Sequence, residues 1–149
     1  MAHLTIFWAL LAICTAVSAQ SIDRNVRVDD AWVRRAPMLA TGDAKTGSGM
    51  GAAYAKLVNS GKEPDALIAA ESDVAEAVEI HESYQQSGMM MMRQVERIDV
   101  PAGRTVEMKP GGYHIMFLKL RRDLKPGEAV KLTFEFRNAG KIPVSAAIR

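Results

Sequence analysis

From Val26 onward, apolar and polar residues alternate in short runs with the two-residue period of half-buried strands, and turn signals fall between the runs. The clearest case follows the Lys125-Pro126-Gly127-Glu128 turn. There Val130, Leu132, Phe134 and Phe136 alternate with Lys131, Thr133, Glu135 and Arg137, and Asn138-Ala139-Gly140-Lys141 closes a hairpin onto Ile142, Val144, Ala146 and Ile148. Residues 114–120 are apolar on both faces, as expected of a central strand. Shorter strands are predicted at residues 26–29, 31–34 (with Trp32 as a core anchor), 54–58, 65–70, 74–81 and 105–108, with one or two more within 89–100. Ala75-Glu76-Ala77 also suits a helical turn. Residues 36–52, rich in Gly, Thr and Ser, predict a long loop of the kind that is commonly functional. Eight or so short strands at this spacing predict an all-β antiparallel sandwich or barrel.

The first residues break this pattern. Residues 4–17 are almost wholly apolar, too short to span a bilayer, and end in the small-residue sequence Val17-Ser18-Ala19. The expectation is a cleaved signal peptide at residues 1–19 and a single exported domain at 20–149, located in the periplasm. Lipid anchoring through Cys14 is disfavoured by the bulky Ile13 just before it.

Charge adds little beyond an exclusion. With 19 basic and 17 acidic residues the chain shows no basic stripe for nucleic acid. Cys14 is the one cysteine and lies in the predicted leader, so the mature domain has no thiol. That excludes a disulfide framework, a thiol nucleophile and a blue-copper centre, whose metal needs a cysteine sulfur. An exported chain with no thiol to oxidise suits the handling of a redox-active metal.

Candidate chemistry concentrates in residues 81–116. This stretch holds both histidines of the mature chain, His81 and His114, with four consecutive methionines, Met89 to Met92, and Met116. Imidazole nitrogen and thioether sulfur together suit a soft monovalent ion such as Cu(I). On strands, His114 and Met116 share one face, and Met90 and Met92 share a face with Gln94 and Glu96, whereas Met89 and Met91 go with Arg93 and Val95. His81 lies with Ala77 and Glu79 on the face opposite Val78 and Ile80. Single histidines and methionines are more often structural, and methionine is an adaptable core filler. Four in a row on an extended segment must expose at least two, which costs stability and invites oxidation. Residue chemistry alone leaves a metal site and a buried apolar core both open.

The spacing His81, ten residues, Met92, twenty-one residues, His114, one residue, Met116 resembles the H-x10-M-x21-H-x-M motif of PCu(A)C-type copper chaperones. Adjoining segments are similar to that family too: Val78-Glu79-Ile80-His81-Glu82, Val100-Pro101-Ala102-Gly103, and Lys109-Pro110-Gly111-Gly112-Tyr113 leading into His114. The resemblance covers nearly all of residues 20–149. It implies a cupredoxin-like β-sandwich, monomeric, holding one Cu(I) through His81, Met92, His114 and Met116, with Cu(II) as a second state held mainly by the histidines. It also implies delivery in the periplasm toward the CuA centre of cytochrome oxidase, alongside Sco-type proteins. Three features depart from the pattern: a longer loop carrying Met38 and Met50, the surplus Met89 to Met91, and no Met/His-rich segment after Ile148. The first two leave room for auxiliary copper capture, and the third argues against a high-capacity store. The competing expectations are a metal-free envelope sandwich for protein interaction and, less favoured, an enzyme. No Ser/His/Asp or Cys/His set can be assembled, because both histidines fall in the motif, and a closed four-donor shell leaves no open catalytic position.

Overall fold

The computed structural model describes residues 25–35 and 49–149. The predicted leader with Cys14, and most of the Gly/Thr/Ser-rich loop with Met38, lie outside the described residues. Ten strands and no helix occur among the described residues: β1 (Val26–Arg35), β2 (Met50–Asn59), β3 (Asp65–Glu71), β4 (Ala75–Gln86), β5 (Met89–Gln94), β6 (Ile98–Val100), β7 (Thr105–Glu107), β8 (Tyr113–Leu120), β9 (Ala129–Phe136) and β10 (Gly140–Ile148). They form one curled sheet in the order β5-β4-β8-β2-β1-β10-β9-β3-β6, with β7 paired to β2, a cupredoxin-like β-sandwich.

Three features refine the expected pattern. The sheet is mixed: β1 runs parallel to β10, pairing Trp32 with Ala147 and Val33 with Ile148, while its other ladders are antiparallel. β1 is one strand, because a register shift between Asp29 and Trp32, with Asp30 at φ 52°, carries it across the polar Asp29-Asp30 pair that divides the sequence pattern. Residues 50–52, read as loop from their glycine content, begin β2, and Ala75-Glu76-Ala77 is strand.

The inner face is packed by Val33, Leu57, Leu67, Ile80, Ile115, Phe117, Leu132, Phe134 and Phe136, all buried. Each fully buried Leu, Ile or Phe is worth roughly 1.5–3 kcal/mol of transfer free energy, so this face anchors the fold. The packing is close around Gly51 of β2. A methyl group there would lie 2.8 Å from Leu124 Cδ1 and 3.2 Å from Phe117 Cδ2. Strands β4, β8 and β2 thereby become a rigid floor whose other face is available for a site.

Candidate metal centre

Strand parity places the candidate donors on that other face. In the antiparallel β4–β8 ladder His81 stands directly opposite His114, and Glu79 opposite Met116. Their neighbours in sequence, Ile80 and Ile115, face each other on the core side. Directly opposed residues share a face, so one ladder gathers His81, His114 and Met116. The two imidazoles lie 5.8 Å apart between ring centroids, tilted by 48°. His114 and Met116 are buried, and His81 is partly so.

Two fixed hydrogen bonds decide which nitrogen each ring presents. His114 Nδ1 is 3.0 Å from the Gly112 carbonyl oxygen. A carbonyl only accepts, so Nδ1 carries the proton and the neutral ring leaves Nε2 as the free lone pair. In His81 the roles reverse: Nε2 lies 2.8 Å from Glu79 Oε2. The carboxylate accepts from Nε2–H, and the lone pair falls on Nδ1. That Nδ1 is buried and has no hydrogen-bond partner among the described residues. A buried, unpaired imidazole nitrogen is costly unless something occupies it. That lone pair suits a soft metal ion, and the Glu79–His81 pair has the carboxylate–imidazole form that orients metal ligands.

The turn before β8 sets the second histidine. Gly112 N–H donates to Lys109 O at 3.0 Å, and Gly111 sits at φ 85°, a left-handed conformation that glycine adopts without strain. The Gly112 carbonyl then accepts from both Ser83 N–H and His114 Nδ1–H, at 3.0 Å each. One carbonyl thus locks the turn to β4 and the ring to the turn. Burial pushes the His114 imidazole below the ordinary histidine value. The Gly112 bond opposes this, while repulsion from His81 and Arg34 adds to it. Burial thus favours the neutral ring, the form that binds metal.

Aromatic groups wall the side toward β1. Tyr54 lies 6.2 Å from His114 and 4.5 Å from Trp32 between ring centroids, and Arg34 lies 5.6 Å over the Tyr54 ring. Tyr54, Arg34 and the Gly112 carbonyl had no mark in the sequence as site residues. The two-residue spacings Glu79-x-His81 and Gly112-x-His114 are signals that could have found the Glu79 carboxylate and the Gly112 carbonyl, whereas nothing in the sequence singles out Tyr54 or Arg34.

Met92 is placed differently. In the β4–β5 ladder Gln94 stands opposite His81, Met92 opposite Ser83 and Met90 opposite Gln85. Met92 therefore shares the histidine face but sits one same-face step, about 7 Å, further along the ladder than His81. Its side chain is half exposed. The ladder brings His81, His114 and Met116 together and leaves Met92 at the rim. Met108 is buried in the core, and all four residues from Met89 to Met92 are exposed, as an extended run of four requires of at least two. Among the described residues no three His, Cys, Asp or Glu side chains cluster as ligands for a harder metal. A separate cleft lies elsewhere, around the β2–β3 turn. Its buried polar groups there are committed internally: Asn59 Nδ2 donates to Glu63 O and Val100 O, and the Asp65 carboxylate accepts from Asn138 N–H and Ala139 N–H.

Comparison with known proteins agrees with the fold. Residues 26–148 match the family model described as LpqE-like. Lxx21020 of Leifsonia xyli subsp. xyli, named as a candidate lipoprotein, is 30% identical over 126 residues, covering 84% of this chain and 70% of the relative. Among solved structures, the copper-bound PCuAC domain from PmoF2 is similar at 25% identity and TM-score 0.65, over 84% of this chain and 92% of that one. The CuI-DR1885 structure from Deinococcus radiodurans is similar at 25% identity and TM-score 0.60, over 82% of this chain and 78% of that one.

Proposed function

The chain belongs to the LpqE-like, PCu(A)C-type family, and from that premise we propose that it is a copper carrier of the cell envelope, not an enzyme. It holds one Cu(I) through His81 Nδ1, His114 Nε2, Met116 and Met92. The observation that carries this reading is the opposed His81–His114 pair, each ring tied by one nitrogen and presenting the other. Copper in the solved PmoF2 and DR1885 relatives supports the choice of cargo.

The donor set suits a carrier. Two imidazoles and two thioethers are neutral, so the loaded centre keeps the single positive charge of Cu(I). Thioethers select the soft ion without the grip of a thiolate. His81, His114 and Met116 form the seat, and Met92 closes it from the rim. Its exposure makes it the first donor to leave when an acceptor's sulfur arrives. Oxidation to Cu(II) favours nitrogen and oxygen donors, so the histidines keep the ion while the thioethers release it. The recipients are envelope cuproproteins, with the CuA subunit of cytochrome oxidase, served alongside Sco-type proteins, as the proposed destination. The lipoprotein name of a relative supports export. Cleavage after Ala19 into the periplasm is favoured over lipid attachment at Cys14, and the mass of the mature protein separates the two.

Titration of the mature protein with Cu(I) against a chromophoric chelator tests the assignment. One tightly held equivalent is expected to be taken from the chelator, and it is lost in the joint variant His81→Ala/His114→Ala. Failure of the wild-type protein to take copper from the chelator sinks the carrier and leaves a metal-free envelope sandwich as the alternative.

A further inference from the structure

Met90 has no part in the four-donor seat, yet it stands in line with it. On the shared face of β4, β5 and β8 the soft donors follow one another inward from the β4–β5 hairpin tip: Met90 opposite Gln85, Met92 opposite Ser83, then the His81–His114 pair, then Met116 opposite Glu79. Successive levels are about 7 Å apart along the strands. Exposure falls along the same line, from 60% at Met90 and 50% at Met92 to 15% for the His81 side chain, 4% at His114 and 8% at Met116.

The strand that carries these thioethers is otherwise hard to explain. β5 is an edge strand with all six residues exposed, and Arg93 is its only charge. Edge strands are usually guarded by charge, proline or a bulge, since open apolar edges invite aggregation. The two faces of the hairpin also differ. Met91 stands opposite Tyr84, on the side where the Arg93 guanidinium lies 5.0 Å over the Tyr84 ring and donates to Glu82 at 2.7 Å. That face is thus taken up by the Arg93–Glu82 ion pair and the Tyr84 ring. Met90 and Met92 face only the neutral Gln85 and Ser83 across the ladder.

We infer that Met90 and Met92 form an outer Cu(I)-capture station at the hairpin, from which the ion steps inward to the histidines. The inference rests on the carrier proposal above. The transfer is ligand exchange alone: the Met90 sulfur–copper bond breaks as an imidazole nitrogen–copper bond forms, with Met92 held throughout. Copper stays Cu(I), the imidazole nitrogens supply their lone pairs, and no electron changes hands. Raising the local concentration of the ion beside its seat speeds loading without altering the final affinity.

The test uses the full mature protein, labelled at the methionine methyl groups with carbon-13 and titrated anaerobically with Cu(I). The first equivalent is expected to shift the Met92 and Met116 methyls and the histidine ring signals, and a second, weaker equivalent to shift Met90. In stopped-flow loading from a Cu(I)–chelator complex, Met90→Leu is expected to load about tenfold more slowly at unchanged equilibrium affinity. Met91→Leu, an equal change on the opposite face of the same strand, leaves both quantities unchanged. Both substitutions nearly conserve volume at exposed positions, so the fold is retained. A Met90 methyl that stays unmoved through two equivalents, or equal loading rates for the two variants, overturns the station while leaving the carrier intact. Histidine signals unmoved by the first equivalent overturn both.

Discussion

At the scale of single residues, the chemistry depends on which imidazole nitrogen is left free, and two neighbours decide it. Glu79 accepts from His81 Nε2–H, and removing that carboxylate lets the ring rotate and share its lone pair between two positions. Glu79→Ala is expected to weaken Cu(I) affinity by about tenfold in a chelator competition, as losses of outer-sphere partners commonly do. Glu79→Gln keeps an acceptor oxygen and recovers most of the loss; equal losses in both variants would argue for a charge effect instead. His114 supplies a pH signature. Its folded value is lowered by burial, so the unfolded chain binds the extra proton first as pH falls below about 6.5. The His114 contribution to stability is therefore present in full above about 6.5 and is lost as pH falls through the lowered folded value. An NMR titration of the apoprotein should place the His114 midpoint below that of an unperturbed histidine; a midpoint at or above it contradicts the burial argument.

At the scale of elements, the proposed carrier divides the work of holding and admitting the ion between the β8 turn and the β4–β5 hairpin. Gly111 sits at φ 85° with open space around it, so Gly111→Ala meets no neighbour but strains the backbone by about 1–2 kcal/mol. The expected result is a loss of that size in urea unfolding, accompanied by weaker copper binding because the Gly112 carbonyl that orients His114 shifts with the turn. Much of the element pattern was legible beforehand, for a physical reason. β9 alternates because one of its faces is buried, and that contrast is what a sequence records. β5 shows the converse. Both of its faces are exposed, so no contrast marks the inward side, and only the ladder with β4 tells Met90 and Met92 from Met89 and Met91 in their surroundings. The spacing of His81, Met92, His114 and Met116 was readable. The choice of nitrogen on each ring was not, because it depends on where Glu79 Oε2 and the Gly112 carbonyl arrive in space. Nor was the parallel β1–β10 pairing, since alternation is the same in parallel and antiparallel strands.

At the scale of the molecule, one sheet serves two purposes on its two faces. Phe117, Phe134 and Phe136 pack the inner face, and the proposed donors occupy the outer face of β4, β5 and β8, so in the proposed carrier stability and binding rest on different side chains of the same strands. Phe117→Ala is expected to cost about 3–5 kcal/mol in denaturant unfolding while the folded fraction still takes one copper. Loss of copper binding in proportion to stability would show the two faces to be coupled. The absence of a thiol from residues 20–149 fits the same division, since an acceptor with thiolates can take Cu(I) from a seat of neutral donors. The central claim is the donor set itself, and X-ray absorption at the copper edge of the Cu(I)-loaded protein reads it directly. The account predicts a shell of two imidazole nitrogens and two thioether sulfurs, reduced to one sulfur in Met116→Leu. A shell of nitrogen and oxygen alone, unchanged by Met116→Leu, would contradict it.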